Sequence, residues 1–211
     1  MGKMNNGILD DFSGTVGKVV GSKWRGVSVM RAKTHKRRNA NTPKQVAQKA
    51  KFKVASTFTQ SMHDLLLLGF KNQAVRMTGA NYGCSLVLTD AIDGTYPDFK
   101  IAYDRVLISK GTLPNVEGLV ITSPKAGTIQ FTWTGTDENG KEKPTDVAIV
   151  VAHCPELNRT VFKSIGSRDT GSAELNVPKF TGKVAHTWIT FMAANGKLLA
   201  TSAYTGSVTV S

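Results

Sequence analysis

The sequence has few of the residues that build disulfide frameworks or metal sites. Its 211 residues include 2 cysteines and 4 histidines. Cys84 and Cys154 stand far apart, and one such pair makes no disulfide framework, so two reduced and mostly buried thiols are expected. No Cys-x-x-Cys or His-x-x-x-His spacing occurs, and no metal or other cofactor is expected. His153 and Cys154 are neighbours on a predicted strand, which sends them to opposite faces. His35 and His63 read as surface side chains, the second beside Asp64. Long apolar runs are also missing. The densest, residues 65–68, is far too short to span a membrane. Residues 1–6 precede Asp10 and Asp11 without an apolar stretch, so no secretory signal is expected and the chain reads as cytoplasmic at synthesis.

Catalytic motifs are missing as well. Gly17-Lys18-Val19-Val20-Gly21-Ser22-Lys23 superficially resembles a phosphate loop. It lacks the required spacing, however, and runs into strand-like rather than helical sequence. There is no Gly-x-Ser-x-Gly elbow. Asp90 and Asp93 read as surface or capping carboxylates. Nothing gathers the polar groups an active site needs, and the chain is expected not to be an enzyme.

Acidic residues are scarce in one place only. Residues 1–53 hold 13 Lys+Arg against 2 Asp+Glu, whereas residues 54–211 hold 14 against 13. A basic segment of this kind either seeks an anionic partner (nucleic acid, a membrane surface or an acidic patch on a neighbouring protein) or serves as a solubilising arm. Its candidate contact residues are Lys23, Trp24, Arg25, Arg31, Lys33, Lys36, Arg37, Arg38 and Lys44. The cations can neutralise phosphates and the single aromatic can stack a base.

Glycine is plentiful where the charge is concentrated. Gly14, Gly17, Gly21 and Gly26 punctuate Val16, Val19, Val20 and the alternating Val27-Ser28-Val29-Met30-Arg31, which predicts a hairpin turning near residues 23–26. A basic loop without periodicity covers residues 33–41. Thr42-Pro43-Lys44-Gln45 then carries a capping residue, a proline suited to the first helical turn and a capping-box glutamine. Val46, Ala50, Val54, Phe58, Met62 and Leu65 or Leu66 follow at helical spacing, predicting one helix to about Leu68 stopped by Gly69. A shorter helix is expected over residues 82–92, then a turn over residues 94–98. One long or two short strands are expected over residues 99–103 and 105–109.

Beyond residue 115 the period changes to two. Strand signals fall at residues 119–123, 128–134, 146–154, 160–164, 173–177, 184–192 and 203–210, with turn residues between them, including 138–141. Ile129, Phe131 and Trp133 alternate with polar neighbours, and Trp133 and Trp188 are candidate core residues. Seven short strands in about 95 residues without a disulfide predict an immunoglobulin-like sandwich of the fibronectin type III kind. The expected fold is therefore an α+β N-terminal region (glycine-rich hairpin, basic loop, long helix, short helix) followed by an all-β sandwich. The expected domains are a basic arm over residues 1–41, a helical region over 42–112 and a sandwich over 116–211.

Several stretches taken together resemble a known family. They are Ser13-Gly14-Thr15-Val16-Gly17-Lys18-Val19-Val20-Gly21, Gly26-Val27-Ser28-Val29-Met30-Arg31, Thr42-Pro43-Lys44-Gln45, Gly94-Thr95-Tyr96-Pro97-Asp98-Phe99, Cys154-Pro155-Glu156-Leu157-Asn158 and Tyr204-Thr205-Gly206. Over essentially its whole length the chain resembles an uncharacterised domain family, of unknown function, common in environmental Gram-negative bacteria. That family brings no activity with it. Residues 13–60 loosely resemble a pattern of phage structural proteins: a glycine-rich hairpin ending in arginine, a basic loop, then Thr-Pro-x-Gln opening a helix. This likeness implies a component of a phage or phage-derived particle.

The expected function is that of a non-enzymatic structural protein that assembles with copies of itself, its basic arm touching nucleic acid or neighbouring subunits. The alternatives are a non-specific nucleic-acid-binding protein and an adhesion or carbohydrate-binding module, against which the missing signal peptide counts.

Overall fold

In a computed structural model the chain separates into two units, Met1–Thr42 and Pro43–Ser211. The structure describes residues 3–4, 12–24, 26–34, 42–136 and 142–211. Turn residues 138–141 lie outside that set.

The first unit is an antiparallel sheet of β1 (Lys3–Met4), β2 (Phe12–Val16), β3 (Val19–Trp24) and β4 (Val27–Ala32), in that order. The expected hairpin is the β3–β4 pair, with Trp24 opposite Val27 and Val19 opposite Ala32. Gly26 takes φ 82° in the turn, a left-handed value that glycine adopts freely. A Cβ on Gly21 would sit 2.3 Å from the Phe12 carbonyl oxygen, so the small residue is what lets β2 cross β3 so closely.

The second unit is built in three layers. Its outer layer is α1 (Pro43–Gln60), α2 (His63–Gly69) and α3 (Gly79–Asp90). The expected single helix over 42–68 is thus two. Thr59 Oγ1 bonds back to the Ala55 carbonyl, and the Ser61 amide and hydroxyl both donate to the Phe58 carbonyl. Such side-chain bonds compete with the regular helical ladder, and the helix breaks at residues 61–62. The second expected helix begins three residues earlier than its sequence suggested, capped by the Thr78 hydroxyl, which accepts from the Asn81 amide. Next come β5 (Ile92–Asp93) and β6 (Lys100–Ile101), which pair with each other, and a single 3-10 turn at Tyr103–Arg105. Residues 105–109, read as a strand, are not one. Ile108 and Ser109 are fully buried, and their amides bond the Ser202 hydroxyl instead of a strand partner.

The other two layers are antiparallel sheets. One is β10 (Arg159–Ser167), β9 (Val147–Cys154), β12 (Val184–Met192) and β13 (Ala203–Thr209), in that order; the other is β11 (Ser172–Asn176), β8 (Thr128–Thr136) and β7 (Val116–Lys125). All seven expected strands are present. Three strands facing four, with turns at both ends, make an immunoglobulin-like sandwich. Its interior holds Ile129, Phe131, Trp133, Val150, Ala152 and Phe191.

The four-stranded sheet is covered on both faces. Along β9, Ala148, Val150, Ala152 and Cys154 face the sandwich interior, while Ile149 and Val151 pack with Phe58, Leu65, Leu66 and Phe70 of the helical layer. Trp188, expected in the sandwich core, lies in this second cluster, because on β12 it has the opposite parity from Ile189 and Phe191. For the same reason the chain does not divide at the boundary expected near residues 113–115. Val106, Ile108, Ser109 and Leu113 are buried, and Leu113 bridges to Ala200. A Cβ on Gly111 would lie 1.9 Å from the Leu199 carbonyl oxygen, so the segment is wedged against the strands rather than spanning a gap.

Candidate functional site

Two regions have chemistry to offer, one in each unit. In the first, the paired register of β3 and β4 sorts the candidate contact residues. Trp24, Ser22 and Val20 share one face with Val27, Val29 and Arg31, and Lys23 lies on the other with Met30. The sequence cluster is therefore divided by the pleat: Trp24 and Arg31 share one face, at opposite ends of the hairpin, and Lys23 lies on the other. Lys33 follows β4, its amide bonded to the Lys18 carbonyl. Lys44 is in the other unit, exposed on the first turn of α1. Arg25, His35, Lys36, Arg37 and Arg38 lie outside the described residues.

The apolar side chains of this sheet are unusually open. Trp24 is 54% exposed and Met30 69%, and Val16, Val27 and Val29 are also exposed. All six residues of β4, the edge strand, are exposed. Sequence reading found the charge here but missed the apolar surface, although Val27 and Val29 at period two, with Trp24 just across the turn, would have shown it.

In the second unit, the register puts His153 of β9 directly opposite His186 of β12, on the face toward the helices. His153 is buried, as sequence reasoning did not foresee. Its Nδ1 lies 2.9 Å from Thr160 Oγ1 and 3.4 Å from Ser61 Oγ. The Phe58 ring meets the imidazole edge-on at 5.0 Å. Tyr103 stacks on His186 at 3.8 Å, and His186 Nδ1 is 2.8 Å from the Tyr204 hydroxyl. Burial, with His186 adding a smaller effect, pushes the His153 imidazole down to about 4. Burial lowers His186 too, and it is the largest cause raising the Tyr103 and Tyr204 hydroxyls. The cluster thus favours neutral forms. The Ser61 hydroxyl donates to the Phe58 carbonyl at 2.7 Å.

A cavity of about 470 Å³ opens beside this cluster. Val54, Phe58, Ile101, Tyr103 and Pro155 give it apolar walls; His153, Lys53 and Asn158 also line it. In the sequence, Lys53 stands out only as one more cation of the basic N-terminal quarter. Among the described residues, no three His, Cys, Asp or Glu side chains gather as a metal ion would need, and Cys154 points into the sandwich, away from His153. No helix there is long and apolar enough to cross a membrane.

A family model described as a family of unknown function (DUF6266) matches residues 11–206. No curated protein matches the sequence. Among solved structures, the fn3 domain of human collagen alpha-1(XX) chain is similar at 18% identity and a TM-score of 0.35, over 48% of this chain and 84% of that one. The beta-1,2-glucanase from Parabacteroides distasonis is similar at 12% identity and a TM-score of 0.30, over 48% of this chain and 14% of that one.

Proposed function

We propose that this chain, which belongs to that family of unknown function, is a non-enzymatic structural protein that assembles with copies of itself through its N-terminal sheet, in a phage-like particle. One observation carries the reading: a small sheet with Trp24, Val27, Val29 and Met30 open to solvent and an edge strand exposed along its length. A sheet must bury at least one face against another layer, and an open apolar edge is a template for pairing with a further chain. The three-layered second unit supplies the body that such contacts would array.

Light scattering coupled to size exclusion tests this on the full chain. The parent should elute as a uniform large species, and Trp24→Ser with Val29→Ser should shift it to a small one without changing the circular dichroism of the body. A parent that stays monomeric at high concentration sinks the proposal.

The concentration of charge favours a second reading, contact of the arm with nucleic acid. If Arg25, Arg31, Lys33, Lys36, Arg37 and Arg38 neutralise six phosphates, affinity falls with salt at a log–log slope of about −4 for single strands and about −5 for duplex. Changing all six to Ser should abolish that dependence. An unchanged affinity refutes the reading.

A further inference from the structure

We propose that the cavity between α1 and β9 is a binding site for a small apolar carboxylate, a ring or short chain ending in a negative charge. The argument begins with the helix. Val46, Ala50 and Val54 continue the apolar stripe that Phe58 buries, yet all three are only half-buried. The stripe runs on past the point where the fold covers it, and the uncovered part opens on the cavity, which Ala50 and Val54 line. An apolar guest would complete the burial that the sequence pattern prepares.

Size and polarity narrow the guest. About 470 Å³ lies within the range of small-molecule sites. The Phe58 and Tyr103 rings, 5.8 Å apart and edge to face, suit a flat or slender body. The polar groups are few. Lys53 lines the cavity, and its ammonium forms no ion pair among the described residues. Thr57, one turn after Lys53 on α1, and Asn158, held at φ 43° in the turn after β9, add uncharged polar groups. His153 stays uncharged near neutral pH, because burial holds it well below its ordinary range, so it adds no second positive charge. One cation beside an apolar hollow selects an apolar body with one anionic end, rather than a sugar or a polyphosphate.

The probe is 4-phenylbutyrate, with 4-phenylbutanol as its uncharged counterpart, titrated into the full chain and followed by amide NMR. For a ligand of about a dozen heavy atoms, saturation at a dissociation constant of about a millimolar or tighter is expected. The shifts should centre on Phe58, His153 and Asn158. Ala50→Trp, which fills the hollow, should abolish binding of both compounds. Lys53→Glu alters an exposed side chain and leaves the fold intact. It should weaken the acid about two- to fivefold, the worth of one exposed charge pair, while the alcohol binds as before. Absence of saturable shifts with either compound overturns the proposal. So does undiminished binding to Ala50→Trp, or an equal loss of acid and alcohol in Lys53→Glu.

Discussion

Acid should loosen the helices from the sheet, and His153 sets the size of the effect. Its imidazole is 1% exposed, clamped between Phe58 and the hydroxyls of Thr160 and Ser61. In the unfolded chain it takes a proton at about 6.5; in the fold it does so only at about 4. Between those values the unfolded state binds more protons, so stability is full above about pH 6.5 and falls as the pH drops toward 4. At about 1.4 kcal/mol for each pH unit, the whole window is worth about 3 kcal/mol, of which about 2.5 kcal/mol is lost by pH ~4.5. His186, also lowered by burial, acts with the same sign. For a domain stable by about 5–15 kcal/mol this is a large share.

Urea unfolding at pH ~7 and pH ~4.5 measures it, with His153→Asn as the control. Asparagine keeps a polar atom near the place of Nδ1 and cannot be protonated. The variant starts less stable, having lost the contact with Phe58, but it should lose about 2.5 kcal/mol less than the parent between the two pH values. Carboxylate titrations are common to both proteins and cancel. If parent and variant weaken by the same amount, the imidazole is not held neutral by burial and the reasoning fails.

Other substitutions probe the body. Arg168 and Asp146 are both buried, with Nε 3.5 Å from Oδ2, and Arg168 also donates to the Pro114 and Asn115 carbonyls. Arg168→Leu strands the carboxylate and should cost about 3–5 kcal/mol in chemical unfolding; adding Asp146→Leu should restore much of it. Trp188→Ala removes the indole that joins the helical layer to the sheet and should cost about 3–5 kcal/mol. Its unfolding should remain a single transition by both circular dichroism and fluorescence, whereas separate transitions would show that helices and sandwich are independent.

The seven sandwich strands were legible because polar and apolar residues alternate in β8 and turn residues separate the runs. The covering of the four-stranded sheet was written just as plainly but in another form. Residues 148–152 read Ala-Ile-Val-Val-Ala with no polar member, the signature of a strand buried on both faces. Without that reading Trp188 is assigned to the sandwich core, and a domain boundary is expected before residue 116, where the helical layer packs on the sheet. The break at residues 61–62 left little trace, since Ser61 and Thr59 are tolerated on helices and only their backward bonds reveal the interruption. Of the candidate contact residues, the charge was legible and its division between two faces followed only from the register. The His153 cavity could not be found from spacing, because its walls come from α1, β6, the turn at Tyr103–Arg105 and the end of β9, brought together by packing alone.

The two units are stabilised in different ways. In the body, several buried polar groups meet one another: the Ser109 hydroxyl lies 2.8 Å from Thr190 Oγ1 and 2.9 Å from the Ala200 carbonyl oxygen, and Trp133 Nε1 donates to the Arg168 carbonyl. The described sheet of the arm has open apolar side chains and strands rich in glycine, which offer little burial to offset the entropy of ordering the chain. If a neighbouring subunit covers those side chains, ordering and association become one process, and protection of the β3 and β4 amides must depend on concentration by mass action. Hydrogen exchange on the full chain at low and high concentration tests this. Amides of β4 should gain protection as concentration rises, while those of β9 and β12, sealed between two layers, should not change. Equal protection of β4 at both extremes would mean that the sheet is stable alone, and its apolar face would then need an explanation other than assembly.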